Sequence, residues 1–148
     1  MSKAASAGAR SRARELILQA LYQKQMTGYD SVELLKQFKA RDEYRRVDKD
    51  YFDETLPAVC NDQAELESKI AELADRPPSQ LDPVEFAILL LGFFELGNRQ
   101  DVPYRVVINE SINLAKRFGA VDGHKYINAV LDKAADKLRP AEASGSAK

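Results

Sequence analysis

Two short stretches carry the residue types that could do chemistry, and both suit an RNA ligand better than a reaction. The first is Arg10-Ser11-Arg12-Ala13-Arg14, with Tyr22 two turns further on. Arginines at a flexible-to-helical junction can reach phosphates through charge-assisted hydrogen bonds. An exposed aromatic nearby offers a face on which an unpaired base can stack. The second is Asp122-Gly123-His124-Lys125-Tyr126. A helix starting there would turn free amides toward an anion, Lys125 would add charge and Tyr126 a stacking face. Asp122 repels phosphate, so its expected role is to cap the helix or to accept a bond from a base edge. The competing reading of both stretches is ordinary surface charge with half-buried tyrosines, and spacing alone does not separate the two.

Catalytic patterns do not emerge. The sequence lacks a Gly-x-Ser-x-Gly elbow, a phosphate loop and a dinucleotide-binding glycine turn. Asp122 and His124 lie two residues apart at a helix start and project in different directions. Cys60 beside Val59 reads as a small hydrophobe, and one Cys with one His cannot build a protein zinc site. The acids at Asp48, Asp50, Asp53 and Glu54 are interleaved with Lys49, Tyr51 and Phe52, as on a solvated helix surface. No enzyme activity and no cofactor are expected.

Net charge is −1, but it is unevenly spread. The first fourteen residues hold four bases and no acid, residues 41–75 hold five bases and eleven acids, and residues 99–139 hold eight bases and five acids. Basic ends flank an acidic middle, which permits a positive surface on a neutral protein. No signal peptide is visible before residue 15, and a single cysteine fits a reducing, cytoplasmic setting.

The elements that must position these residues all read as helices. The organising one is Asp82 to Gly97, where only Glu85, Gly92 and Glu95 interrupt the apolar run from Val84 to Leu96. Asp82 is a good N-cap, Pro83 suits the first helical position, Glu85 completes a capping box and Gly97 suits the stop. A helix apolar on nearly every side is enclosed by protein or lipid. This run is too short for lipid, since a membrane span needs ~20 apolar residues. A first helix carries Leu16, Ile17, Ala20 and Leu21 on one face and ends at Gly28, and a second carries Leu34, Leu35 and Phe38. A third, capped by Asp48, presents Tyr51, Phe52, Thr55, Leu56 and Val59, with a kink or break expected near Asp53–Pro57. A fourth presents Leu66, Ile70 and Leu73. Asp75-Arg76-Pro77-Pro78-Ser79 separates this half from the central helix. A sixth helix follows Pro103 and stops at Gly119, and a seventh carries Ile127, Val130, Leu131, Ala134 and Leu138. The expectation is one all-α domain over residues 10–139, of about seven helices in two three-helix halves around a buried central helix. Residues 1–9 and 140–148 are expected to be disordered.

Several stretches, in order and at their separations, resemble the NusB family of bacterial transcription antitermination factors. They are Arg12-Ala13-Arg14-Glu15 with Gln19-Ala20-Leu21-Tyr22, Val84-Glu85 with Phe94-Glu95-Leu96, and Asp101-Val102-Pro103-Tyr104. To these add Ile108-Asn109-Glu110, Leu114 to Gly119, His124 to Asn128 and Val130 to Lys133. The resemblance covers roughly Arg10 to Pro140. It implies an all-helical protein that binds the boxA element of ribosomal RNA transcripts together with a small-subunit ribosomal protein, NusE. The pair would then join other Nus factors and RNA polymerase. It implies an RNA side formed by Arg10, Arg12, Arg14, Tyr22, Asp122, Lys125 and Tyr126. It implies a partner side at Glu85; Phe86, a departure from the family pattern, is assigned to the same side, and its ring could also widen an apolar patch and favour a homodimer. On this reading Arg14→Ala lowers the salt slope of RNA binding by about one. The alternative is a helical scaffold that binds protein without RNA. The chain departs from its relatives at Ser11, Phe86, Leu90, Gly92 and Pro57.

Overall fold

Local sequence dictates helix throughout the computed structural model, which describes residues 3–146. Among these residues there are eight α-helices and no strand: α1 (Lys3–Thr27), α2 (Ser31–Lys39), α3 (Lys49–Asn61), α4 (Gln63–Leu73), α5 (Pro83–Asn98), α6 (Tyr104–Phe118), α7 (Gly123–Leu138) and α8 (Pro140–Ser146). A short 3-10 helix, Asp42–Arg46, joins α2 to α3, and another, Pro78–Gln80, precedes α5. No helix among the described residues is long and apolar enough to cross a membrane. The chain divides into two units, one ending at Asp62 and the other beginning at Gln63. The break expected at Asp75–Ser79 is therefore earlier than the sequence suggests, because α4 packs on α5.

In the first unit α1 and α2 pack on α3. Leu16, Ile17, Ala20 and Leu21 of α1, Leu34 and Phe38 of α2, and Tyr51, Phe52, Leu56 and Val59 of α3 are all buried. Gly28 takes φ +76 and ends α1, and Gly28 N–H donates to the Lys24 carbonyl. Asp30 caps α2 through the Glu33 amide at 2.9 Å, and Asp48 caps α3 through the Tyr51 amide at 3.1 Å. Two expectations are corrected here. Helix α3 runs unbroken through Pro57. The burial of Phe52, Leu56 and Val59 outweighs the ~3 kcal/mol that an interior proline costs. Helix α1 begins at Lys3, not at Arg10, and Ala9 is buried with its carbonyl accepting the Asp48 amide at 2.9 Å. The expected disorder of Met1, Ser2, Ala147 and Lys148 lies outside the described residues.

In the second unit α4, α6 and α7 surround α5, whose residues Glu85 to Leu96 are all buried. Asp82 Oδ2 accepts the amides of Val84 at 3.0 Å and Glu85 at 3.1 Å, and Pro83 holds the first helical position. The helix passes Gly97 and ends at Asn98, so Gly97 is not its stop. Gly92 allows close packing: a methyl group there would lie 3.0 Å from Leu131 Cδ2 and 3.3 Å from Ser111 Oγ. The propensity lost by glycine at this point is offset by the approach of α6 and α7.

Residues Pro140–Ser146 form α8, where disorder was expected, and a buried arginine explains it. Arg139 donates to the carbonyls of Leu96 (2.7 Å), Glu95 (3.1 Å) and Arg99 (2.8 Å) around the end of α5, as a second donor beside Gln100 Nε2, the Arg99 amide and the Val102 amide respectively. Its Nη1 donates to Glu142 Oε1 at 2.8 Å, and Glu142 Oε2 accepts the Tyr104 amide at 2.9 Å. Glu142 thus supplies the side-chain cap that Pro103 cannot give α6. The Tyr104 amide, and then Arg139, hold the Glu142 carboxyl below its ordinary value of 4.5. A depressed carboxylate stabilises the fold above its unfolded pKa and loses that contribution as pH falls through its folded one. Glu142→Gln is therefore expected to be less stable than the parent at pH 7. In urea titrations that gap should close as pH drops below about 4.5.

Candidate nucleic-acid and partner interfaces

The arginine segment is held in the first unit by the start of α3. Arg10 Nη2 and Nε lie 3.4 Å from Asp48 Oδ2, and its guanidinium stands 4.5 Å over the buried Tyr51 ring. Arg14 approaches the same ring at 5.4 Å and is only 3% exposed. Arg12 points outward, and its Nε donates to the Arg46 carbonyl at 2.8 Å. Arg10 and Arg14 therefore share one aromatic, while Arg12 lies on another side of α1. Tyr22 is 40% exposed and about 12 Å along the helix axis from Arg14, so it is not gathered with the arginines. Sequence reasoning missed Tyr51 as the arginine platform and Asp48 as its anchor. It also missed that Arg14, Leu18 and Leu21 follow helical spacing along one buried stripe.

The other candidates fall in the second unit around the start of α7. Asp122 does not cap this helix. It takes φ +69 with no side-chain bond to the helix amides, and its carboxylate lies 3.4 Å from Lys125 Nζ. In the left-handed conformation the side chain is turned to the i+3 ammonium instead of the first-turn amides. Lys125 is exposed and Tyr126 is half-buried. The place expected for an anion at the start of α7 is taken by Glu85: a methyl group on Gly123 would sit 2.7 Å from Glu85 Oε2. That contact needs glycine at 123. It also means that Glu85 reaches toward α7 and is not a capping-box partner of Asp82.

Arg76, in the turn before α5, completes this group. Its guanidinium lies 4.4 Å over the Tyr126 ring and its Nε is 3.3 Å from Asp75 Oδ1. The Tyr126 hydroxyl is buried without a hydrogen bond of standard geometry. Burial first, then the neighbouring Asp75 charge, raise its pKa, and Arg76 opposes them. Burial also raises the Glu85 carboxyl, Asp82 adds to this, and Arg76 counters it. Glu85 and Phe86 are each 8% exposed, so the mouth of α5 is less open than its sequence implies, and Phe86 does not widen an exposed apolar patch. Arg76 carried no sequence signal, since the Tyr126 ring that it covers lies on α7, fifty residues on. No cluster of three metal-ligating side chains occurs among the described residues, and burial pushes the Cys60 thiol up, away from a nucleophile's range.

A family model described as the NusB family matches residues 11–136. The chain belongs to the NusB family. A transcription antitermination protein NusB from Alcanivorax borkumensis is 49% identical over 144 residues, covering 97% of this chain and 96% of that protein. The protein of the same name from Hydrogenovibrio crunogenus is 49% identical over 139 residues, covering 93% and 85%. Among solved structures, NusB of T. maritima superposes with a TM-score of 0.78 at 25% identity, covering 92% of this chain and 96% of that one. The NusB likeness thus extends over both units, and the relatives are named for transcription antitermination, not for a catalysed reaction. The all-helical fold and the family expected from sequence are both borne out.

Proposed function

We propose that this NusB-family protein is an RNA-binding adaptor in transcription antitermination. Its ligand is the boxA element of ribosomal RNA transcripts, and it reaches full affinity only with the small-subunit ribosomal protein NusE. Other Nus factors and RNA polymerase complete the assembly. The observation that carries this reading is the preorganised start of α1. Asp48 and Tyr51 fix Arg10, and the Arg46 carbonyl holds the exposed Arg12 on another side of α1, so few side-chain rotamers need freezing when a phosphate arrives. Lys125 and the rim of Tyr126 supply a second contact region. Glu85 and Phe86 form the partner side, and their slight exposure means that the partner touches them at an edge.

Few phosphate contacts give modest affinity and a shallow salt slope, about −0.7 per phosphate on a single strand. Fluorescence anisotropy of a boxA RNA, with and without the ribosomal protein, tests the proposal. Affinity should rise by about tenfold or more with the partner, which corresponds to ~1.4 kcal/mol of coupling. Affinity that ignores the partner would contradict the adaptor reading. Equal complex formation with scrambled RNA would instead favour a protein-only scaffold. Phe86 is buried, so the homodimer expected through its ring loses the apolar patch it would form on.

A further inference from the structure

Among the basic residues around the start of α3, most are already engaged. Arg45 is paired with Asp42 at 3.0 Å, Lys39 lies 3.6 Å from Asp53, and Arg10 is on Asp48. Lys49 stands 5.6 Å over the Tyr44 ring. Arg46 differs. Its side chain is exposed and enters no hydrogen bond or ion pair among the described residues. Its backbone, however, is fixed from both sides. Arg12 Nε donates to its carbonyl at 2.8 Å, and two residues on the Asp48 amide donates to the Ala9 carbonyl at 2.9 Å. Val47 between them is buried. An unoccupied guanidinium on a clamped backbone, beside the exposed Arg12, is arranged to receive an anion at small entropic cost.

We propose that Arg46 is a phosphate-contacting residue that extends the RNA path from α1 onto the Asp42–Arg46 segment. The inference rests on the reading of α1 as an RNA surface and adds a contact outside the arginine-rich helix. The nearby acids are partly spent, Asp48 on Arg10 and the α3 cap, Asp42 on Arg45. Glu43 and Asp50 in the same stretch are exposed. A planar guanidinium suits a bidentate phosphate bond, and the Arg12 guanidinium retains its Nη groups for a neighbouring phosphate after its Nε is committed.

The test is anisotropy of boxA RNA with the full chain at several salt concentrations. Arg46→Ala should weaken binding about three- to tenfold at low salt and make the slope shallower by about 0.7. Arg46→Lys should recover most of the affinity, and Arg45→Ala should change it less than about twofold. Melting temperatures of the Arg46 variants should match the parent, because the exposed side chain has no hydrogen bond or ion pair among the described residues to lose. If an Arg46→Ala protein does melt early, Arg46→Gln gives the same reading with the aliphatic stem kept. Unchanged affinity and slope for Arg46→Ala, with Arg12→Ala weakened, would overturn the inference and leave the α1 reading standing. If neither variant changes binding, the α1 reading itself fails.

Discussion

Arg139→Ala is expected to destabilise the protein by about 3–4 kcal/mol, a large share of the ~5–15 kcal/mol that holds a domain of this size. The side chain is 2% exposed and makes four hydrogen bonds. Truncation removes the charged donor from the carbonyls of Glu95, Leu96 and Arg99, which keep only the Arg99 amide, Gln100 Nε2 and the Val102 amide, and a hydrogen bond to a charged group is worth about 1.5–3 kcal/mol. It also frees Glu142, so the cap on α6 weakens and α8 loses its tether. Arg139→Lys keeps the charge but not the fork that serves three carbonyls and a carboxylate, and should recover less than half of the loss. Urea titration followed by circular dichroism reads both. A loss below about 1 kcal/mol for Arg139→Ala would show that water replaces the guanidinium and that α5 ends at the surface.

Arg14→Ala separates two roles that the sequence offered for one residue. As a phosphate contact it would lower the salt slope with little change in stability. In the structure Arg14 is buried against Tyr51, next to Arg10 on the same ring. A desolvated cation–π contact of this kind is worth ~2 kcal/mol or more, and removing Arg14 also leaves a void along the stripe with Leu18 and Leu21. The expected result is a loss of about 2–3 kcal/mol in stability. The salt slope of RNA binding should stay within about 0.3 of the parent, less than half of the ~0.7 that one phosphate contributes. Affinity would fall only as far as Arg10 loses its alignment. A slope that drops by ~0.7 in a protein of unchanged stability would return Arg14 to the RNA surface.

These two arginines mark where sequence was legible and where it was not. The apolar faces of α1, α2, α3, α6 and α7 could be read because burial repeats with the helical period: Leu16, Ile17, Ala20 and Leu21, or Ile127, Val130, Leu131 and Ala134. Glycine and aspartate at Gly28, Asp48 and Asp82 announced local ends that need only neighbouring residues. Arg139 could not be read because its acceptors precede it by some forty residues, and nothing in a charged side chain reports that its fork will meet three carbonyls. Arg14 was misread: its type suggested solvent, although its spacing to Leu18 and Leu21 runs along the buried stripe. Asp122 was misread because a left-handed backbone turned a good capping residue away from the helix it precedes. Glu85 was read as a local cap, but its environment is set by Gly123 on another helix.

The candidate site follows the same division. Its residue types were visible, because arginines, a lysine and tyrosines near helix starts are what RNA contacts require. Which of them are available was not visible. Asp48 and Tyr51 decide that for Arg10 and Arg14, and Arg76 and Asp75 decide it for Tyr126. The surface proposed for RNA therefore offers fewer available charges, better fixed, than the run Arg10-Ser11-Arg12-Ala13-Arg14 implies.

The most direct test of the adaptor reading is the mass in solution of mixtures of this protein, the small-subunit ribosomal protein and RNA. The account predicts a complex containing all three with boxA RNA, reduced several-fold in amount when the RNA is scrambled or when Arg12 and Arg46 are both replaced by alanine. A two-protein complex that forms equally well with no RNA, and excludes boxA RNA when it is added, would contradict it.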